Sequence, residues 1–213
     1  MENGIPNKIV VAVDTIILAI GKGGLEVLLT QFKYEPYEGR WALPGAVVGV
    51  DESLEETAKR ILVKRVGDSR LHLEQLYCFG NPDRDARGRS ISVAYFALLS
   101  EKEKVNNHLT GQYLDMKWFD TKHLPDMAFD HRKIIGVAVE KLAYKLDEIE
   151  IIRPLLPTKF TLSELQRVYE ILSGKKIDKR NFIKKVKNDE TVVLTTEMKT
   201  GGAYRPAKLF KFR

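Results

Sequence analysis

Residues 41–68 read WALPGAVVGVDESLEETAKRILVKRVGD. Ser53 is a residue type that caps helix N-termini, Glu55 and Glu56 suit the positive end of a helix dipole, and Gly67 suits the left-handed position after a last turn. Between them Leu54, Ala58, Ile61, Leu62 and Val66 recur at helical spacing, which predicts an amphipathic helix over residues 53–66. One face of that helix carries Ile61, Lys64 and Arg65 at positions i, i+3 and i+4.

Outward from the helix the pattern is that of strands. Residues 8–20 (KIVVAVDTIILAI) and 25–32 (LEVLLTQF) are rich in β-branched and aromatic residues and are joined by the turn GKGG. Further strands are expected within 71–79, 90–99 and 116–119. A last amphipathic helix is expected from His131 to Leu146, with Ile134, Val137, Val139, Leu142 and Leu146 along it. Strands flanking a central helix predict an α/β body with a mixed sheet packed between helices. Near residue 150 the helical pattern stops and Pro154 and Pro157 predict an extended linker, so the chain divides into 1–150 and 151–213.

The composition, 44% hydrophobic and 30% charged, is that of an ordinary globular protein. A single cysteine, Cys78, excludes a disulfide framework and a cysteine-based zinc site. The start of the chain lacks the basic region, apolar run and cleavage site of a signal peptide, and the longest apolar run is broken by Asp14, so a cytoplasmic location is expected. The net charge of +6 is unevenly placed. Residues 151–213 hold 15 Lys or Arg against 6 Asp or Glu, while residues 1–150 hold 20 against 23. A near-neutral body with a basic tail is expected where one segment meets a polyanion; a solvated lysine-rich surface is the alternative.

Within the tail, Thr161 with Glu164 forms a capping box ahead of a helix lined by Leu162, Leu165, Val168 and Leu172 and ended by Gly174. Asp178 caps a second helix, KRNFIKKVKN, with Arg180, Lys184 and Lys187 on one face and Phe182, Ile183 and Val186 on the other. Two strands follow, joined by a Gly-Gly turn. Helix, turn, basic helix and hairpin is the order of a winged helix, whose second helix enters a DNA major groove. The candidate DNA-binding residues are Lys179, Arg180, Asn181, Lys184, Lys185, Lys187, Lys199, Tyr204 and Arg205. The lysines suit phosphates, and Arg180 and Asn181 near the helix start suit base edges. A small helical domain that docks on protein is the alternative.

Residues 46–67 resemble the Nudix box, in which glycine, five residues and glutamate precede seven residues and Arg-Glu-hydrophobic-x-Glu-Glu-x-Gly. Glu52 takes the first glutamate, Arg60 the arginine, Leu62 the hydrophobic position and Gly67 the last glycine. Ala46 stands at the first glycine, and Ile61, Lys64 and Arg65 stand at the other three glutamates. Lys and Arg offer a metal no lone pair, and Glu52 alone cannot hold the ions that activate water in such enzymes. No metal or cofactor is therefore expected, and no efficient hydrolysis. The alternative is a working hydrolase of ADP-ribose or a related nucleoside diphosphate.

The whole chain resembles the bacterial Nudix-related transcriptional regulators, repressors of NAD metabolism or sugar utilisation. DRDARGRSISVAYFALL and LPDMAFDH are similar to that family's body; FTLSELQRVYE, DKRNF and RPAKLFKF are similar to its winged helix. The resemblance implies a homodimer on operator DNA that senses a phosphorylated effector, such as ADP-ribose or a sugar phosphate, in a Nudix-like domain. Candidate effector-binding residues are Arg40, Lys64, Arg65, Arg84, Arg87, Arg89 and His131. Lys64 and Arg65 either take over the charge role of the metal or are solvated surface. Arg84, Arg87 and Arg89 either grip an anion or belong to a polar turn. Asp130 is expected to cap the last helix of the body.

Overall fold

The computed structural model describes residues 8–67, 71, 73–100, 105, 111–147, 149–199 and 206–213. Its body is a seven-stranded mixed sheet. β1 (Val10–Ile20) lies at the centre, with β2 (Leu25–Phe32) and β3 (Trp41–Ala42) on one side. On the other side lie β6 (Ser90–Leu99), then β5 (Leu73–Phe79). β4 (Gly45–Val47) pairs with the first half of β1, and β7 (Tyr113–Asp120) pairs with β2. β1 and β6 run parallel, and the other pairs are antiparallel.

The period of two along β1 divides the core. Val13, Ile17 and Ala19 face α1 (Leu54–Val66), where they meet Ala58, Ile61, Leu62 and Val66. Ile16 and Leu18 face α2 (His131–Tyr144) and its Ile134, Ile135, Ala138 and Leu142. Asp14 has the parity of Ile16, so its carboxylate is directed to the α2 side. The predicted mixed sheet between helices is the fold observed.

The caps of α1 follow the expected chemistry. Ser53 accepts from the Glu56 amide at 3.2 Å, Glu56 answers through the Ser53 amide at 2.8 Å, and Gly67 adopts φ 76°. The start of α2 differs. Asp130 stands at its N-cap position, but its side chain makes no cap hydrogen bond and pairs instead with Arg84.

The segment around residue 150 is not the extended linker that its prolines predicted. Ile149–Leu155 forms 3₁₀ turns with Pro154 inside, and Ile152, Leu155 and Leu156 are buried. Their apolar side chains outweigh the prolines' preference for extended backbone, and they join both halves of the chain into one hydrophobic core. The second module holds α3 (Leu162–Ser173), α4 (Lys179–Asn188) and the hairpin β8 (Val192–Lys199) and β9 (Ala207–Phe212). Phe160 bridges Phe210 of β9, seating the start of this module on its own hairpin. Among the described residues no helix is long and apolar enough to cross a membrane.

Candidate functional site

Two surfaces carry chemistry, a pocket in the body and the outer face of α4. The pocket, about 340 Å³, lies on the α2 side of the sheet. Its floor is a buried polar network. Asp14 Oδ2 accepts from Ser92 Oγ at 2.6 Å and lies 3.2 Å from His131 Nε2 and 3.3 Å from Arg84 Nη2. His131 Nδ1 accepts the Leu43 amide at 2.9 Å, which leaves the ring proton on Nε2 to be donated to Asp14. Arg84 is held on all three nitrogens: Nη1 donates to Ser90 Oγ at 3.1 Å, and Nε and Nη2 grip Asp130 at 3.2 and 2.9 Å. Burial alone would push the Asp14 carboxyl up, but its contacts with His131, the Ser92 hydroxyl and Arg84 hold it below the usual carboxylate value.

Gly45 completes the floor. A Cβ there would stand 2.3 Å from Asp14 Oδ1 and 3.2 Å from the Val13 carbonyl, so the carboxylate occupies the space a side chain would take.

One wall is aromatic. Phe32, Tyr37, Tyr113 and Phe129 form a cluster, with Tyr37 and Phe129 ring centroids 4.2 Å apart. Phe129 holds φ at 55°, a left-handed conformation rare for a bulky residue, immediately before Asp130 and His131. Arg87 lies across this wall, 4.9 Å from the Phe129 centroid, and pairs with Asp85 at 2.9 Å. Roughly half of its side chain stays open to solvent.

Four of the seven candidate effector residues, Lys64, Arg84, Arg87 and His131, line this pocket. Arg65 sits behind its wall, 3% exposed, with its guanidinium 4.9 Å from the Tyr113 centroid and Nη1 without a hydrogen-bond partner. Burial pushes its basicity down. Arg89 is directed away, donating to the carbonyls of Gly80 and Ser90, and Arg40 pairs with Asp126 on the surface. Asp14, Ser90, Ser92, Tyr37 and Phe129 were not singled out as site residues. For Asp14 the signal was present: it is the one charge in a strand whose only other polar residue is Thr15.

The position of a Nudix metal site does not fit a metal. Glu52 is held by Arg60 at 2.6 and 2.7 Å, by Thr57 at 3.0 Å and by the Gly49 amide at 3.3 Å, which leaves its carboxylate little to offer an ion. Ile61 is in the core, and Lys64 and Arg65 are cations. Among the described residues no group of three or more His, Cys, Asp or Glu is arranged to hold one.

The second surface is built on α4. Asp178 caps it by accepting from the amides of Arg180 and Asn181 at 3.0 Å each, while Phe182 and Val186 are buried beneath it. Lys179, Arg180, Asn181, Lys184 and Lys187 are exposed on its outer side. Lys185 is turned inward, donating to Tyr169 Oη at 2.5 Å, and Lys199 on the hairpin is tied to Glu164 at 2.6 Å. Tyr204 and Arg205 lie outside the described residues.

Comparison with known proteins matches both modules. Residues 8–136 match the NUDIX domain, and residues 153–212 match the NrtR DNA-binding winged helix domain. The ADPR responsive transcriptional repressor NtrR of Acinetobacter baylyi is 34% identical over 202 residues, 94% of this chain and 80% of that protein. An ADP-ribose pyrophosphatase of Methanocaldococcus jannaschii is 34% identical over 126 residues, 59% of this chain and 70% of that protein. Shewanella oneidensis NrtR, solved with a 27mer DNA, superposes with a TM-score of 0.80 at 33% identity, covering 95% of this chain and 93% of that one. Its NUDIX domain, solved with ADP ribose, gives a TM-score of 0.57 at 35% identity over 66% of this chain and 94% of that one. With its degenerate Nudix body, its basic winged helix and a repressor relative over almost its full length, the chain belongs to the NrtR family of Nudix-related transcriptional regulators.

Proposed function

We propose that this chain is a transcriptional repressor that grips operator DNA through α4 and its hairpin. Its body pocket holds ADP-ribose or a closely related nucleotide sugar without hydrolysing it. The observation that carries this reading is the α1 face beside the pocket, where Lys64 and the buried Arg65 replace carboxylates. An enzyme of this fold needs a metal to activate water and hold the leaving phosphate. Lys64, which lines the pocket, can meet a diphosphate but supplies no nucleophile, and Arg65 behind the wall adds positive charge without contact.

The rest of the pocket fits the other parts of such a ligand. The Phe32, Tyr113 and Phe129 wall offers a face for a base to stack on, and Arg87 lies on that wall, half open to solvent, where an anion would meet it. The Asp130 carboxylate, the more open of the two held by Arg84, offers an acceptor for a ribose hydroxyl. Arg84 spends its Nε and Nη2 donors on the Asp14 and Asp130 carboxylates, and its role is to hold them in place.

A homodimer in the cytoplasm completes the proposal, because a winged helix reads a half-site and a paired operator needs two copies. Titration calorimetry with ADP-ribose in EDTA and then in Mg²⁺ tests the pocket. Equal binding in both, with no AMP released, is expected. Mg²⁺-dependent release of AMP would establish the hydrolase reading instead. Preference for DNA upstream of the chain's own gene over random DNA tests the other surface.

A further inference from the structure

β1 and α2 both start at the effector pocket and both reach the DNA-reading module. Asp14 on β1 and His131 at the first position of α2 are joined there across 3.2 Å. Seven residues beyond Asp14, about 23 Å along a strand, β1 gives way to the turn Gly21–Gly24, closed by the Gly21 amide donating to the Gly24 carbonyl at 2.7 Å. At that turn Arg167 of α3 donates from Nη2 to the carbonyls of Gly21 and Lys22, at 2.9 Å each.

The second path runs along α2. Arg132, the residue after His131, donates to the Leu124 and Pro125 carbonyls at 3.2 and 2.7 Å, which anchors the first turn of the helix. One turn on, Ile135, Gly136 and Val139 line a cleft of about 740 Å³, whose other side is formed by Arg167, Glu170 and Ile171 of α3. On this side the two helices stand apart across an open cleft, and the Arg167 side chain crosses from α3 to the β1–β2 turn at its edge. The pocket and α3 are therefore connected by two rigid elements, β1 through the turn at its end and α2 through the middle of its length.

We propose that Arg167 is an interdomain latch. Its grip on the Gly21 and Lys22 carbonyls sets the angle of α3, and with it α4, and a nucleotide sugar in the pocket acts on DNA binding by displacing the β1–β2 turn against α2 and so changing that grip. The inference rests on the effector reading given above. Two sites are coupled only if some element between them has two arrangements that both sites bias, and the Arg167 hydrogen bonds, made or released, are the two arrangements this proposal assigns.

The test uses the full chain, as wild type, Arg167→Ala and Arg167→Lys, with ADP-ribose as probe. Amide hydrogen exchange is followed in peptides spanning residues 127–133 at the pocket and 162–173 of α3, alongside the affinity for upstream DNA. In the wild type ADP-ribose is expected to alter exchange in both peptides and to change DNA affinity at least about fivefold, the lower end of usual allosteric coupling. Arg167→Ala is expected to keep the pocket response and the ADP-ribose affinity within about twofold, while the α3 response disappears and the effect on DNA affinity falls below about twofold. Arg167→Lys, with a shorter side chain and one ammonium in place of Nη2, is expected to recover part of both. Undiminished coupling in Arg167→Ala with the pocket responding overturns the latch and leaves the effector reading standing. A pocket peptide silent in all three proteins overturns the effector reading and the latch with it.

Discussion

The Asp14 carboxylate is the residue on which the pocket depends, and Gly45 is the residue on which Asp14 depends. Gly45→Ala would place a methyl group 2.3 Å from Asp14 Oδ1, and that oxygen cannot swing freely while Ser92, His131 and Arg84 hold its partner. The variant is expected to lose measurable ADP-ribose binding in calorimetry and to be about 2–3 kcal/mol less stable in urea unfolding, the range for a strained and partly broken buried network. Retained binding would show that the floor gives way without consequence. Glu52 makes a second residue-scale prediction. Hydrogen bonds from Arg60, outweighing the effect of burial, with help from Thr57 and the Gly49 amide, lower its pKa from 4.5 to about 2. Its folded value is depressed, so its stabilising contribution is complete above the unfolded value and is lost as the pH falls from 4.5 towards 2. The urea midpoint of Glu52→Gln is therefore expected to differ from wild type at pH 6 and to approach it only as the pH falls to about 2 and below. A constant difference at all pH values would mean that the pair contributes nothing through charge.

At the scale of elements, α2 is more permissive than its position suggests. Gly136 sits in its interior, and a Cβ there would meet nothing within 4 Å because the residue opens on the cleft. Gly136→Ala is expected to raise stability by about 0.5–1 kcal/mol, the helix-propensity gain without strain, read as a higher midpoint in urea. A lower midpoint would mean that the cleft closes against this helix in solution. Elements like this were legible in the sequence wherever their signals are local. Ser53, Thr161 and Asp178 cap helices, Gly67 and Gly174 end them, and the apolar period of α1, α3 and α4 falls on the buried side. The pocket was legible only in part, because the floor partners of Asp14 lie 70 to 117 positions away from it in sequence. Their proximity follows from the parallel pairing of β1 with β6 and from the packing of α2, neither of which a local pattern encodes. The two- and three-residue strands β3 and β4 were missed for a related reason, being too short to show a period.

At the scale of the molecule, the basic charge is concentrated on one helix that the apolar side chains of Phe182 and Val186 hold outward. Lys184 is exposed there with no ion pair among the described residues, whereas Lys185 is spent on Tyr169 and Lys199 on Glu164. Each phosphate neutralised by a cation releases counterions, so the logarithm of DNA affinity falls with the logarithm of salt at about 0.9 per contact. Lys184→Ala removes one such contact per copy of the chain. If a single copy binds, the slope should fall by about 0.9, and if two copies bind a paired site it should fall by about 1.8. Lys185→Ala, which removes a cation already committed to α3, should change the slope by less than half as much per copy. Fluorescence anisotropy on upstream DNA between 50 and 200 mM salt, the range over which such contacts are resolved, reads the phosphate role and the copy number together. A slope unchanged by Lys184→Ala would take α4 out of the DNA interface and favour a docking surface for protein.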